Sequence, residues 1–252
     1  IPRDPHYHEA EFQMHYDTAL YGALRDIGHG NAPAEKVFEA LDDAVWQGFP
    51  ESAVHLRYIE NHDEPRYLSE CSEAALRAAA AATFTLPGAP MIYYGQERGM
   101  TAQRGPMKWY DGDADLTAFH RSLSTLRRAE PALKNGTVER LAVEVAERRN
   151  PAVSEPESAD SAATAEIVAA NGSGEPAGAD HVVAYARDDG DDRLLVVLNF
   201  GDESQAVGLP ESVGSTDLRT GSPLRKRYPQ DAAEGEADTY LLVDDVVICR
   251  AA

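Results

Sequence analysis

The chain has 252 residues, 43% of them hydrophobic, which is length and apolar content for one large or two medium cores. Its formal net charge of −20 repels phosphate at long range and excludes nucleic acid and anionic membrane surfaces as partners. Four lysines against nineteen arginines make an acidic, lysine-poor surface, the composition expected of a halophilic protein in screening salt; an ordinary acidic protein is the plainer alternative.

Further classes fall away on the cysteines and the hydropathy. Cys71 and Cys249 are too few for a disulfide framework and too far apart for a cysteine-based zinc site. No run has the unbroken apolar length of a membrane helix, and no charged-then-apolar leader opens the chain. The first residue is Ile1 rather than Met, so processing or truncation is expected and the compartment is not legible.

Up to about residue 131 strand-like and helix-like patterns alternate. EFQMHY (11–16) predicts a short strand, and Leu20, Leu24 and Ile27 recur at helical spacing over 17–27, ended by Gly28 and Gly30. A second helix is expected over 33–47, with Asn31 as N-cap, Pro33 in the first turn, and Val37, Leu41 and Val45 on one face. VHLRYI (54–59) predicts a strand, and SEAALRAAAAATFTL (72–86) a helix with a serine cap. Pro87-Gly88 stops it, APMIYY (89–94) predicts a buried strand ended by Gly95, and 114–128 carries Leu116, Phe119, Leu123 and Leu126 on one stripe closed by Pro131. Such alternation is the signature of parallel βαβ units.

Beyond 131 the pattern changes. Residues 150–180 are rich in Pro, Gly, Ser, Ala and acid and predict a mobile solvated insertion, with one short strand at AEIVAA. HVVAYAR, RLLVVLNF, SQAVGL and YLLVDDVVICR then predict an antiparallel sandwich or small barrel. The domains expected are therefore 1–131, α/β, and 132–252, all-β.

The chemistry-bearing stretch is ENHDEPR (60–66), where the apolar pattern of VHLRYI stops on four polar or ionisable groups. The strand at 89–94 also ends in a glycine and then an acid, Glu97. In a parallel barrel every strand delivers its C-terminal residues to one face, and two acids on that rim suit glycoside cleavage, which places carboxylates around an oxocarbenium-like centre.

Asn61-His62-Asp63 followed by Arg66, GAPMIYYGQERGM (88–100), FHRSLSTLRRAEPALKNG (119–136) and RLLVVLNFGDES (193–204) together resemble the α-amylase family of retaining glycoside hydrolases. The likeness covers nearly the whole chain and matches the C-terminal part of a (β/α)8 TIM barrel, about three strands, with a C-terminal antiparallel β-sandwich. It implies an α-glucan substrate. It also implies that Asp63 is the catalytic carboxylate that stabilises the transition state without attacking, and that His62 is a hydroxyl-binding imidazole. Arg66 matches a position basic in many relatives, with a surface salt bridge to Glu64 or Glu70 as the alternative. Asn61, grouped with the substrate-binding residues, is expected to shape the strand end through backbone bonding. Glu97 is expected to be a structural acid, and at least one of Tyr93 and Tyr94 to point into the core.

The chain departs from the family where bond cleavage is decided. A nucleophilic carboxylate in an Arg-x-Asp setting and a second carboxyl as acid are missing; Arg25-Asp26 lies within a helix pattern. The opening resembles the family's segment just after the fifth barrel strand, so a fragment lacking the N-terminal part of the barrel, inactive alone, is expected. No metal site is supported in this chain; the resemblance implies calcium sites that often draw on the region between barrel and inserted domain, which this sequence lacks, so calcium is an expectation for the full-length enzyme alone. Remaining alternatives are a transglycosylase, isomerase or α-glucosidase of the same family, and a non-catalytic carbohydrate-binding module in which Tyr228 or Tyr240 would supply the platform.

Overall fold

The computed structural model describes residues 5–50, 52–146, 178–227 and 239–252. The strand expected at AEIVAA, nearly all of the expected insertion, and Tyr228 lie outside the described residues.

The first half is built from α1 (His6–Ala10), β1 (Met14–Tyr16), α2 (Thr18–Gly28), α3 (Lys36–Trp46), β2 (Val54–Arg57), α4 (Glu73–Thr85), β3 (Ala89–Pro90), α5 (Ala114–Ala129) and α6 (Pro131–Asn135). The strands lie side by side in chain order and all parallel, Met14 opposite Val54 and Leu56 opposite Ala89, as the alternation predicts. Three helices start on acid or hydroxyl caps that bond an otherwise orphaned N–H. Asp17 accepts from Leu20 N at 3.0 Å, Ser72 from Ala75 N at 3.2 Å and Asp113 from Leu116 N at 2.7 Å. Asp17 also pairs with buried Arg57, whose Nε donates to Pro87 O at 2.7 Å, so one carboxylate ties α2 to β2 and to the approach to β3.

Two expectations are corrected here. α3 begins at Lys36 and Asn31 does not cap it; its apolar stripe buries Val37 but runs past its cover, leaving Val45 and Trp46 exposed. The strand expected over 89–94 shrinks to Ala89–Pro90. It pairs with β2 alone among the described residues, and Pro90 has no N–H to extend a ladder. Gly88 enters it at φ +117, where a Cβ would stand 2.4 Å from His55 O, so this position requires glycine.

The second half contributes β4 (Thr137–Leu141), β5 (Glu144–Val145), β6 (Val182–Asp188), β7 (Arg193–Asn199), β8 (Gln205–Gly208), β9 (Lys226–Arg227), β10 (Tyr240–Val243) and β11 (Val246–Arg250). They form two four-stranded antiparallel sheets, β11-β7-β6-β4 and β5-β8-β10-β9. The YLLVDDVVICR run folds as two strands, turning at Asp244-Asp245 and leaving β10 in one sheet and β11 in the other.

The halves share a core. α4 is alanine from 78 to 82 and buried there on every side, which lets the β7 and β11 sheet pack closely against it through Val183, Leu194, Val196 and Ile248. Its last carbonyls, orphaned by the helix end, are met by arginines. Arg127 Nη1 donates to Phe84 O at 2.5 Å and to Leu133 O at 2.8 Å. Arg187 Nη1 donates to Thr85 O, and its Nη2 to Gly136 O at 2.7 Å.

Behind β1 and β2 a second cluster stacks His15 on Phe49 (centroids 4.2 Å apart) and edges it against His8 at 4.7 Å and His55 at 4.4 Å. Burial, with His55, His8 and Arg57 around it, lowers the His15 pKa from 6.5 to about 4. The folded state therefore binds this proton less readily than the unfolded chain. Its contribution is complete above pH 6.5 and is lost as pH falls toward 4, by up to about 3 kcal/mol. Urea midpoints should fall across that window, and His15→Phe should flatten the fall; an unchanged pH profile would contradict a buried neutral imidazole.

Candidate functional site

After β2 the chain stays inside through Tyr58, Ile59, Glu60 and Asn61, then emerges at His62 and Asp63. Asn61 makes that exit: its Oδ1 accepts from Asp63 N at 2.7 Å and Glu64 N at 3.0 Å, an Asx turn that throws the next two side chains outward. The His62 and Asp63 side chains are 59% and 69% exposed. His62 Nε2 lies 3.2 Å from one carboxylate oxygen of Asp63, and Arg104 Nη2 lies 3.3 Å from the other.

Arg104 is the residue that sequence reasoning missed. It arrives on the loop after β3, with Nε donating to His62 O at 2.9 Å, while its neighbour Gln103 donates from Nε2 to Glu64 O at 3.0 Å. No periodicity or motif marks a position forty-one residues from Asp63; only the tertiary fold joins them.

Arg66 is fully buried. Its Nη1 meets Glu60 Oε1 at 2.6 Å, its Nε donates to Ala102 O at 3.1 Å, and its guanidinium lies 4.2 Å from the Tyr93 ring centroid and 4.9 Å from that of Tyr94. The surface pair expected with Glu64 or Glu70 does not form. Glu64 accepts from Tyr21 Oη at 3.0 Å, and Glu70 pairs with Arg25 at 2.6 Å. Nor does either tyrosine of the 93–94 pair sit in the core: Tyr93 is half-buried, Tyr94 exposed, and both cover the arginine, because a guanidinium is a better neighbour for their faces than solvent. Glu97 closes its own turn by accepting from Gly95 N at 3.0 Å.

Burial pushes the Glu60 carboxyl up, while the bonds from Arg66 and Tyr67 N pull it down. Tyr67 N donates to the second oxygen at 2.8 Å, so both oxygens of this buried carboxylate are satisfied. The pair forms a rigid floor beneath an exposed polar rim of Asp63, His62 and Arg104. Among the described residues no three His, Cys, Asp or Glu side chains are placed to hold a metal ion.

Comparison with known proteins bears on this rim. The family described as "Alpha amylase, catalytic domain" matches residues 9–175, and "Alpha-amylase SusG C-terminal domain" matches residues 182–226. The chain is 36% identical over 249 residues to an alpha-amylase, MalA, of Haloarcula japonica, covering 98% of this chain and 32% of that protein. It is 28% identical to a cyclomaltodextrinase of a Bacillus species, over 68% of this chain and 26% of that protein. Among solved structures, a maltogenic alpha-amylase, AmyB, from Thermotoga neapolitana superposes with a TM-score of 0.71 at 19% identity, over 99% of this chain and 53% of the other. The chain thus spans about a quarter to a third of the curated relatives' length and about half of the solved chain's. With a catalytic-domain match over two thirds of its residues and a C-terminal-domain match beyond, this chain belongs to the alpha-amylase family.

Proposed function

We propose that the chain carries Asp63 as the transition-state-stabilising carboxylate of a retaining glycoside hydrolase acting on α-glucans such as starch and maltooligosaccharides. The observation that carries this reading is an exposed carboxylate past the C-terminal end of a parallel strand, both oxygens flanked by cationic or imidazole groups, in a member of the alpha-amylase family. Asp63 accepts hydrogen bonds from the ring hydroxyls of the sugar at the cleaved bond, and these strengthen as positive charge develops on the ring. His62 adds a donor to a neighbouring hydroxyl. Asn61 sets the turn and Arg66 the floor, so their roles are positional.

β1, β2 and β3 are, on this reading, the last three strands of a (β/α)8 barrel. Support comes from their parallel order and from the apolar side chains Met14 and Ile92 left on the surface, which closure of the barrel would cover. The nucleophile and the general acid lie outside this chain. Glu64 and Glu97 are bonded to Tyr21 and to Gly95 N, so neither stands ready as a second carboxylate. Any calcium belongs to the parts of the complete protein not carried here.

Purified alone, the chain should turn over neither soluble starch nor an activated maltoside; clear turnover tied to it would refute the division of labour. Product analysis of the complete protein separates hydrolysis from glucosyl transfer. In that protein, Arg104→Gln should lower kcat about 2- to 5-fold, the scale of one exposed ion pair, with thermal stability unchanged. A carbohydrate-binding module is the weaker reading, because Phe200 and Tyr240 are buried and the described sandwich residues present no exposed large aromatic.

A further inference from the structure

We propose that Trp109 and Tyr110 form an aromatic platform that binds the same α-glucan chain beside the rim; the proposal rests on the Asp63 reading. Trp109 is 72% exposed and Tyr110 fully exposed, side by side on the loop between β3 and α5. Large rings so bare on a described surface need a reason, and here the backbone that presents them is pinned at both ends.

Toward the rim, Arg104 and Gln103 bond His62 O, Asp63 and Glu64 O, and Tyr94 Oη donates to Gly105 O at 2.9 Å. Beyond it, Arg98 donates from Nε to Lys108 O at 3.0 Å, from Nη2 to Trp109 O at 3.3 Å and from Nη1 to Thr117 Oγ1 at 3.1 Å. Gly112 makes room for that side chain, since a Cβ there would stand 2.4 Å from Arg98 Nε. Four residues separate Arg104 from Trp109, five Cα steps with a reach of at most about 18 Å. The indole therefore stands within a few sugar lengths of the loop that contacts Asp63, in reach of a glucan that runs from Asp63 along this loop.

The chemistry selects the occupant. Ring faces pack against the C–H face of a pyranose, and a pinned loop loses little entropy on binding. A surface with net charge −20 repels anionic polymers but not an uncharged glucan. Trp46, the other exposed indole, sits at the end of α3, has no such tether to the rim, and serves as a control.

The test uses the full-length protein with Trp109→Ala, Tyr110→Ala, both together, Trp46→Ala and Asp63→Asn, each checked for folding by circular dichroism. The double variant should raise KM for maltoheptaose about 5- to 20-fold, more than for a short activated maltoside, and weaken maltoheptaose binding by the same factor in calorimetry. Trp46→Ala should alter neither. An equal effect from Trp46→Ala, an unchanged maltoheptaose Kd in the double variant, or a change confined to sedimentation, which would mark a self-association face, overturns the platform. Asp63→Asn separates the two proposals: if it abolishes turnover while the double variant is neutral, only the platform fails, and if it leaves turnover intact, the rim reading fails first.

Discussion

Asp63→Asn in the complete protein should lower kcat on the order of 10³-fold, while KM changes little and the melting temperature stays within about a degree or two. The size follows from removing a charge that acts where the transition state is most positive; deleting one preorganised stabilising group costs about 10²–10³ in rate. The sparing of KM follows because the contact strengthens only in the transition state. Stability is spared because the carboxylate is 69% exposed and its partners sit at 3.2 and 3.3 Å in solvent, where such pairs contribute about 0–1 kcal/mol. Steady-state kinetics on starch beside a thermal melt reads all three. Retention of more than about a tenth of the activity would falsify the assignment of Asp63.

Three residues along, the opposite balance holds. Arg66→Ala should unfold or loosen the chain by about 3–5 kcal/mol, because it strands a buried carboxylate. Glu60 keeps the bond from Tyr67 N, but loses the cation that holds its pKa down against burial. Its folded pKa should rise further in the variant. The penalty should therefore shrink as pH falls and Glu60 takes up a proton, the reverse of the trend expected from His15. Replacing both partners, Glu60→Met with Arg66→Met, should recover much of the loss, since two well-packed apolar groups replace a charge pair that is costly to desolvate. Urea titrations of the two single variants and the double variant close the cycle. Additive losses would mean that Glu60 and Arg66 do not act as the buried pair the geometry describes.

How far the site is legible differs from residue to residue. Asn61, His62 and Asp63 stand out because a strand pattern stops on them, and hydrophobic periodicity reports such a stop directly. The backbone role of Asn61 follows from the short reach of its side chain. Arg66 stands out too, but the sequence offers it the wrong partners, the nearby acids Glu64 and Glu70. Burial decides that pairing: Glu60 is one position before Asn61 and points inward, so its carboxylate could be met only from within. Arg104 and the Trp109-Tyr110 pair carry no signal, since loops lack period and their contacts are long-range.

By itself the sequence determined the order of strands and helices in the first half, the Ser72 cap of α4, the change to β structure beyond residue 131, the acidic lysine-poor surface in keeping with an alpha-amylase homologue from a Haloarcula, and the family. Those properties are local or compositional, so a window of neighbours or a count holds them. Only the tertiary structure decided that α4 packs against the sandwich, that Arg127 and Arg187 cap its end, that Arg66 is a buried floor, and that a loop forty residues on reaches Asp63. Each is a choice of partner for a group leaving water, and that choice depends on which distant segment arrives beside it.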